Sequence, residues 1–408
     1  MTDTDDVGED DTAANDDAEN GTDTTDGSTA DEADGSTAEE TDGYTADEAD
    51  GSTADETDGS TAEETDGYTA DEVITYAHGA GGDQMTDLVE NLAVSRFADA
   101  EADVGLAALD DGSVQPIDDE HSVVVTTDSH VVSPLFFRGG DIGRLAVSGT
   151  VNDLAMMGAT DPLALSSSLI IEAGTPKTTV EAVTESMQAA CAEAGATITT
   201  GDTKVMGSDE IDTLAINTTG VAIVERGTHV PDAGLSVGDK LIVSGTVGDH
   251  GISLLSEREG FDFGGDLESD VQPVNDLVRA AMDAGDVTAM KDPTRGGLAT
   301  VLNEMAEKAD VGIDVDEQSI PVSGAVASAG EVLGIEPYDV ASEGVAVMAV
   351  DSADADAVLA ALREHPKGTD AAIVGDVVED HTGQVVLDTG FGRRYLTPPE
   401  GEQLPRIC

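Results

Sequence analysis

From Ser122 to Val378 the chain alternates between two kinds of segment, and no other feature limits its fold so strongly. Short β-branched runs (Ser122–Thr127, Leu163–Ile171, Ala196–Thr200, Leu214–Val224, Leu241–Ser244, Val311–Val315, Val345–Val350, Ala371–Val378) predict strands. Between them, Asp141–Met157, Thr178–Ala194, Pro273–Ala284, Leu298–Ala309, Ala325–Leu333 and Ala353–Glu364 carry apolar residues at helical spacing. Such alternation requires helices layered on sheets, an α/β (α+β) architecture. An earlier helix is expected over Met85–Ala98, with Met85, Leu88, Val89, Leu92 and Phe97 on one face.

Residues 1–72 cannot join that core. They hold 28 acids and no Lys or Arg, and from Gly27 an eight-residue unit of the type GSTADEAD repeats up to Glu72. The repeats contain no Leu, Ile, Val, Phe or Met, so they read as a disordered acidic extension. The 336 residues that follow keep 58 acids against 17 bases, within a net charge of −69 for the whole chain of 408. Repulsion of that size is screened in concentrated salt, which implies a halophilic setting, and it argues against nucleic acid as a partner. No run of about 18 apolar residues predicts a membrane span, and the acidic N-terminus resembles neither signal nor transit peptide. Two cysteines, Cys191 and Cys408, give no disulfide framework and suit a reducing cytoplasm.

The polar residues that carry chemistry cluster at predicted strand ends. Asp128 follows the run Ser122–Thr127, Asn152-Asp153 lies late in the helix Asp141–Met157, and Gly201-Asp202-Thr203-Lys204 follows Ala196–Thr200. In an extended continuation Asp202 and Lys204 face the same side. A metal-binding Asp beside a phosphate-binding Lys is one reading, and a surface ion pair is the plainer one by spacing alone. Two glycine-rich turns enter helices, Gly245–Gly251 with Asp249 and His250, and Asp292–Gly297 with Arg295, Gly296 and Gly297; His78–Gly82 is a third, weaker anion-site candidate. Glu343 stands in the turn Ala341–Gly344. No Walker A, dinucleotide fingerprint or zinc spacing occurs in the sequence. Cys191 falls on an apolar helix face, whereas Cys408 ends a proline-punctuated tail and suits a tethered carrier thiol as well as an incidental terminus. The residues alone therefore predict two α/β domains binding Mg²⁺ and a phosphorylated ligand.

Taken together, His78–Gly82, Thr127–Ser129, Pro134–Phe137, Gly140–Gly143, Asn152-Asp153, Gly201–Lys204, Ser244–Gly251, Asp292–Gly297, Glu343-Gly344 and the terminal Pro405-Arg406-Ile407-Cys408 resemble the HypE family of hydrogenase maturation proteins. The resemblance runs from about Tyr76 to Cys408. It implies a two-domain fold similar to aminoimidazole ribonucleotide synthetase, with domains at 73–232 and 233–388, an arm at 389–408 and a homodimer formed through the N-terminal sheets. It implies ATP and Mg²⁺ as cofactors and dehydration of an S-carbamoylated Cys408 to a thiocyanate, the source of cyanide for the iron of a nickel–iron hydrogenase. A HypF-like carbamoyltransferase would load Cys408, and a HypC–HypD scaffold would receive the cyanide. Asp128, Asp153 and Asp202 become metal candidates, with Asp249 and Asp292 behind them. Lys204 would hold a phosphate or activate the amide oxygen, and Gly201, Thr203, Asp292, Arg295, Gly296 and Gly297 would line the nucleotide. Glu343 and His250 are the candidate bases. The chain departs from the family pattern at Ala80 and His130, and neither is expected to touch the chemistry. A small-molecule kinase or synthetase of the same fold is the competing enzyme reading; a non-catalytic, ATP-dependent adaptor is the other.

Overall fold

A computed structural model describes residues 73–79, 82–98, 101–208, 210–261 and 267–399. The acidic repeats, part of the His78–Gly82 turn and the terminal Cys408 lie outside the described residues.

The first described helices are α1 (Asp83–Val89) and α2 (Ser95–Phe97), joined by a π-helical stretch at Glu90–Val94. The apolar stripe expected here is poorly covered, with Leu92 and Phe97 exposed. Next come β1 (Ser113–Pro116), β2 (His121–His130), the two-residue strands β3 (Phe136–Phe137) and β4 (Gly140–Asp141), and α3 (Ile142–Met156). Then β5 (Pro162–Glu172), α4 (Lys177–Ala194), β6 (Ile198–Met206) and β7 (Leu214–Glu225) complete a sheet of order β1-β2-β7-β5-β6. Only β5 and β6 pair in parallel, and α4 makes their crossover.

Helix α3 explains how the molecule is held together. Apart from Arg144, Asn152 and Asp153 its residues are apolar or small on every side, the pattern of a helix almost wholly enclosed by its neighbours. It packs under β2 and β7 on one side and against α6 (Asn275–Ala284) and β9 (Val287–Lys291) on the other. Asp141 caps its N-terminus, accepting from the N–H groups of Gly143 and Arg144. Asn152 and Asp153 are polar residues placed late in this buried helix.

The second half contributes β8 (Lys240–Val243), α5 (Asp249–Glu259), α6, β9, α7 (Gly297–Ala309), β10 (Gly312–Asp316), α8 (Gly324–Leu333), β11 (Val347–Val350), α9 (Ala355–Glu364), β12 (Ala372–Val378), β13 (Val385–Asp388) and β14 (Arg393–Leu396). Its sheet runs β14-β13-β10-β12-β8-β11-β9. Leu241 and Val243 point into the core with α7, whereas Ile242 joins α6 and α9 on the opposite face. With both faces covered, Val347–Val350 is buried at every residue and reads as a continuous apolar run.

Three local differences from the sequence expectation matter below. β2 runs on to His130, so Asp128 lies within the strand and not beyond its tip. Gly201–Lys204 lies within edge strand β6, which runs on past the expected strand end at Thr200. Arg393–Leu396, read as part of a flexible arm, is a strand paired with β13.

Candidate functional site

The site is built where the two halves meet along α3. On β2, Asp128 stands opposite Thr218, whose hydroxyl bonds Thr150 Oγ1 at 2.5 Å and Ala146 O at 2.9 Å on α3. Strand alternation therefore turns Asp128, and with it Thr126 and His130, toward the helix. Thr126 Oγ1 lies 2.8 Å from Asp153 Oδ2, which fixes the α3 carboxyl against β2.

The second half reaches the same place by two loops. After β9, Asp292 is followed by Arg295, whose Nη2 stands 3.9 Å from Asp128 Oδ1. Before β11, Glu343 is held by its backbone: its N–H donates to Asp270 Oδ1 at 3.1 Å and its C=O accepts from Asn152 Nδ2 at 3.1 Å. The Asn152 amide also donates to Gln272 O at 3.1 Å and accepts from Val274 N–H at 2.8 Å. Asn152 thus fastens α3 to the second half, and its neighbour Asp153 faces the cleft so formed. Gly296 and Gly297 turn the chain into α7 with φ of 72° and 63°. A Cβ on Gly297 would stand 2.5 Å from Val340 O, so close packing alone demands glycine there.

The electrostatics of this seam are unusual. Burial, then Asp292, Asp111 and Asp128, push the Asp153 carboxyl well above the ordinary range. Burial, then Asp292, Asp270 and Asp128, do the same to Glu343, although Arg295 opposes the shift. Burial, helped by Asp111 and opposed by Lys291, lifts Asp292 to about 8. Burial likewise lifts Asp270 to about 7. Burial works against the Lys291 ammonium, but Asp111, Asp232 and Glu304 outweigh it and hold its pKa well above normal. Lys291 is committed to Asp111 at 2.7 Å and Asp232 at 3.4 Å, and Lys308 also pairs with Asp232. The cleft acids therefore outnumber the cations that face them, and buried Asp111 Oδ2 has no hydrogen-bond partner. Among the described residues no three His, Cys, Asp or Glu side chains already converge as a finished metal cage. Hard carboxylate oxygens in surplus, in a low-dielectric seam, nonetheless fit a divalent cation in their chemistry.

Of the residues singled out from sequence, Asp128, Asp153, Asp292, Arg295 and Glu343 come together here. Gly201, Asp202, Thr203 and Lys204 do not. In the register, Asp202 is three strands from Ser129, about 14 Å across the sheet, and shares the face opposite α3 with Asn217 and Ser129. Asp202 and Lys204 are exposed and pair with each other at 2.7 Å. Gly201 has a packing reason of its own, since a Cβ would stand 2.1 Å from Ser167 O. His250 is buried in the first turn of α5, its Nδ1 2.8 Å from Ser269 Oγ and its ring edge-on to Phe137. Asp249, in the same turn, has its carboxyl raised by burial. Cys191 is a buried residue of α4. Sequence reasoning missed Asp111, Asp270, Lys291 and Asp232, and it missed His130. Contrary to expectation, His130 Nε2 lies 3.5 Å from Asp128 Oδ2, which brings it into direct contact with the site. Its position two residues after Asp128 on one strand was the available signal.

This two-half fold with an acidic seam defines the class. The family model described as AIR synthase related protein, N-terminal domain, matches residues 109–224, and the one described as AIR synthase related protein, C-terminal domain, matches 236–388. A thiamine monophosphate kinase from Aquifex aeolicus shares the fold at a TM-score of 0.55 and 20% identity. Closer likenesses narrow the class. A putative hydrogenase expression/formation protein of Methanocaldococcus jannaschii is 47% identical over 82% of this chain and 99% of its own length. Carbamoyl dehydratase HypE of Cupriavidus necator is 44% identical over 82% of this chain and 95% of its own. A crystal structure of hydrogenase maturation protein HypE in complex with ATP matches at a TM-score of 0.68 and 38% identity, covering 81% of this chain and 98% of that one. A HypE–HypF complex matches at 0.71 and 37%, covering 78% and 100%. The chain belongs to the HypE family of carbamoyl dehydratases.

Proposed function

We propose that this protein uses ATP to dehydrate an S-carbamoyl group on its own Cys408 to a thiocyanate, as a step in hydrogenase maturation. The observation that carries the reading is the convergence of Asp128 and Asp153 from one half with Asp292, Arg295 and Glu343 from the other. The chemistry balances without another reactant. The amide oxygen attacks the γ-phosphorus of ATP and one N–H proton leaves. Then the C–O bond breaks, phosphate departs, and loss of the second N–H proton gives the C≡N bond. The sum is carboxamide plus ATP to thiocyanate, ADP and phosphate.

Each residue has a role that its surroundings support. Arg295, partly exposed beside Asp128, is aimed at the charge that develops on the phosphoryl group. Glu343 and Asp292, whose carboxyls burial pushes up, are the proton acceptors of the reaction once a cation in the seam offsets their acidic neighbours and favours their ionised form. Asp128 and Asp153 would hold Mg²⁺, which when bound offsets phosphate charge. Gly296 and Gly297 bring the α7 N-terminus toward the phosphates. The arm has the necessary reach. Leu396 O accepts from Asn303 Nδ2 at 3.0 Å, six residues along α7 from Gly297, or about 9 Å. The twelve residues from 397 to 408 span up to about 40 Å when extended.

The remaining assignments follow the family. A HypF-like carbamoyltransferase loads Cys408 and a HypC–HypD scaffold takes the cyanide. A homodimer forms on the uncovered face of the first sheet, where Ile223 and, toward the other end of the strands, the Asp202–Lys204 pair are exposed. In that dimer the pair acts on nucleotide phosphates brought to it across the interface. The setting is cytoplasmic and saline; no helix among the described residues is long and apolar enough to cross a membrane. The functional test is phosphate release from MgATP by protein carbamoylated on Cys408. Release that requires the carbamoyl group supports the enzyme, and release indifferent to it supports an ATP-dependent adaptor.

A further inference from the structure

His130 is 2% exposed, and neither of its ring nitrogens makes a hydrogen bond. A buried imidazole normally satisfies both, so an unpartnered one marks a site whose ligand is elsewhere. Nε2 points at Asp128 Oδ2 across 3.5 Å. That gap is too wide for a good hydrogen bond. It lies within the span of two donors on one ion, since two metal–ligand bonds of about 2.1 Å each can bridge it.

The surroundings keep this gap available. Asp128 Oδ1 accepts from Ser129 N–H at 2.7 Å and faces Arg295, which leaves Oδ2 turned to the ring. Gly149 on α3 makes the room, because a Cβ there would stand 2.9 Å from His130 Cε1 and 3.7 Å from Asp128 Oδ2. The Asp128 side chain keeps 29% of its surface, so an ion can enter from the cleft.

We propose that His130 Nε2 and Asp128 Oδ2 are joint ligands of a divalent first-row transition-metal ion in the cleft, which gives this site a preference for Mn²⁺ over Mg²⁺. An imidazole donor binds Mn²⁺ better than Mg²⁺, which keeps to oxygen. Water and nucleotide phosphate oxygens fill the other positions. The inference rests on the cleft being the ATP and cation site.

The test uses the full chain with ATP and Mn²⁺, read by electron spin-echo modulation, with natural-abundance and ¹⁵N-labelled histidine. The expected result is a ¹⁴N coupling from a bound imidazole that converts to ¹⁵N on labelling and vanishes in His130→Phe. The same variant should weaken Mn²⁺ binding about tenfold and Mg²⁺ binding less than about twofold. Gly149→Ala gives a second route, since alanine suits a helix but pushes the ring from its place. It should lose the coupling too. Mn²⁺ bound with ATP but with no imidazole coupling, or with a coupling that survives His130→Phe, overturns the inference and leaves the ATP site standing. No binding of either ion in the presence of ATP overturns both.

Discussion

Asp153 and Asp202 are the same side chain in two solvents. Asp153 is half-buried at the seam, where burial of its carboxyl and neighbouring acids push its pKa well above the ordinary range. Asp202 is exposed on an edge strand, where the hydrogen bond from Lys204 pulls its carboxyl down. The first is costly to ionise and becomes useful when a cation arrives. The second is already paired, is screened by salt, and contributes little to holding the fold. Read along the sequence, both look like members of one metal constellation. In space, only Asp153 has the surroundings of a metal ligand within its own chain, and Asp202 must find its nucleotide across an interface or not at all.

The largest effect should come from the buried member. Asp153→Asn keeps the shape of the side chain but removes the anion, and should lower carbamoyl-dependent phosphate release at least about a hundredfold. An unaltered rate would place the nucleotide metal elsewhere. Lys204→Ala should come next, with at least a tenfold loss of dehydration, no loss of Cys408 carbamoylation, and an unmoved thermal midpoint. A wild-type rate in that variant would make the exposed pair an ordinary surface ion pair.

How far the sequence showed this contrast depends on which physical property is asked for. Amphipathic spacing marked α4 and α7, alternation marked β7, and a β-branched run marked β12. β9, β13 and β14 escaped notice, being short strands whose pairing is decided by partners far along the chain. Asp128, Asp153, Asp292 and Glu343 stood out by their places in and beside the predicted elements, the family resemblance gave them roles, and their burial came only with the fold. Asp111 and Lys291 have no local signature, because their 2.7 Å contact joins residues 180 positions apart. His130 was visible as an odd residue two positions after Asp128, but the expected strand stopped at Thr127, and only its continuation to His130 puts the two on one face.

A smaller effect separates buried acids from exposed ones through pH. Asp270, raised to about 7 mainly by burial, binds its proton more tightly in the folded state than in the unfolded one. Its contribution to stability is full below its unfolded pKa and is lost as pH rises through about 7. In cation-free protein, Asp270→Asn should flatten the fall of thermal midpoint between about pH 4 and 7; an identical slope in wild type and variant would deny this burial effect. The smallest effect should follow removal of residues 1–72, whose repeats lack the apolar residues needed to bury a core. Dehydration in high salt should change less than tenfold, and a greater loss with the fold intact would give the extension a role in the site.

The most direct measurement is the mass of the C-terminal peptide after treatment first with the carbamoylating partner and then with MgATP. The account predicts one carbamoyl group on Cys408, then loss of one water from that same peptide, with buried Cys191 unmodified throughout. Modification of Cys191, or ATP-dependent dehydration undiminished in Cys408→Ala, would contradict it.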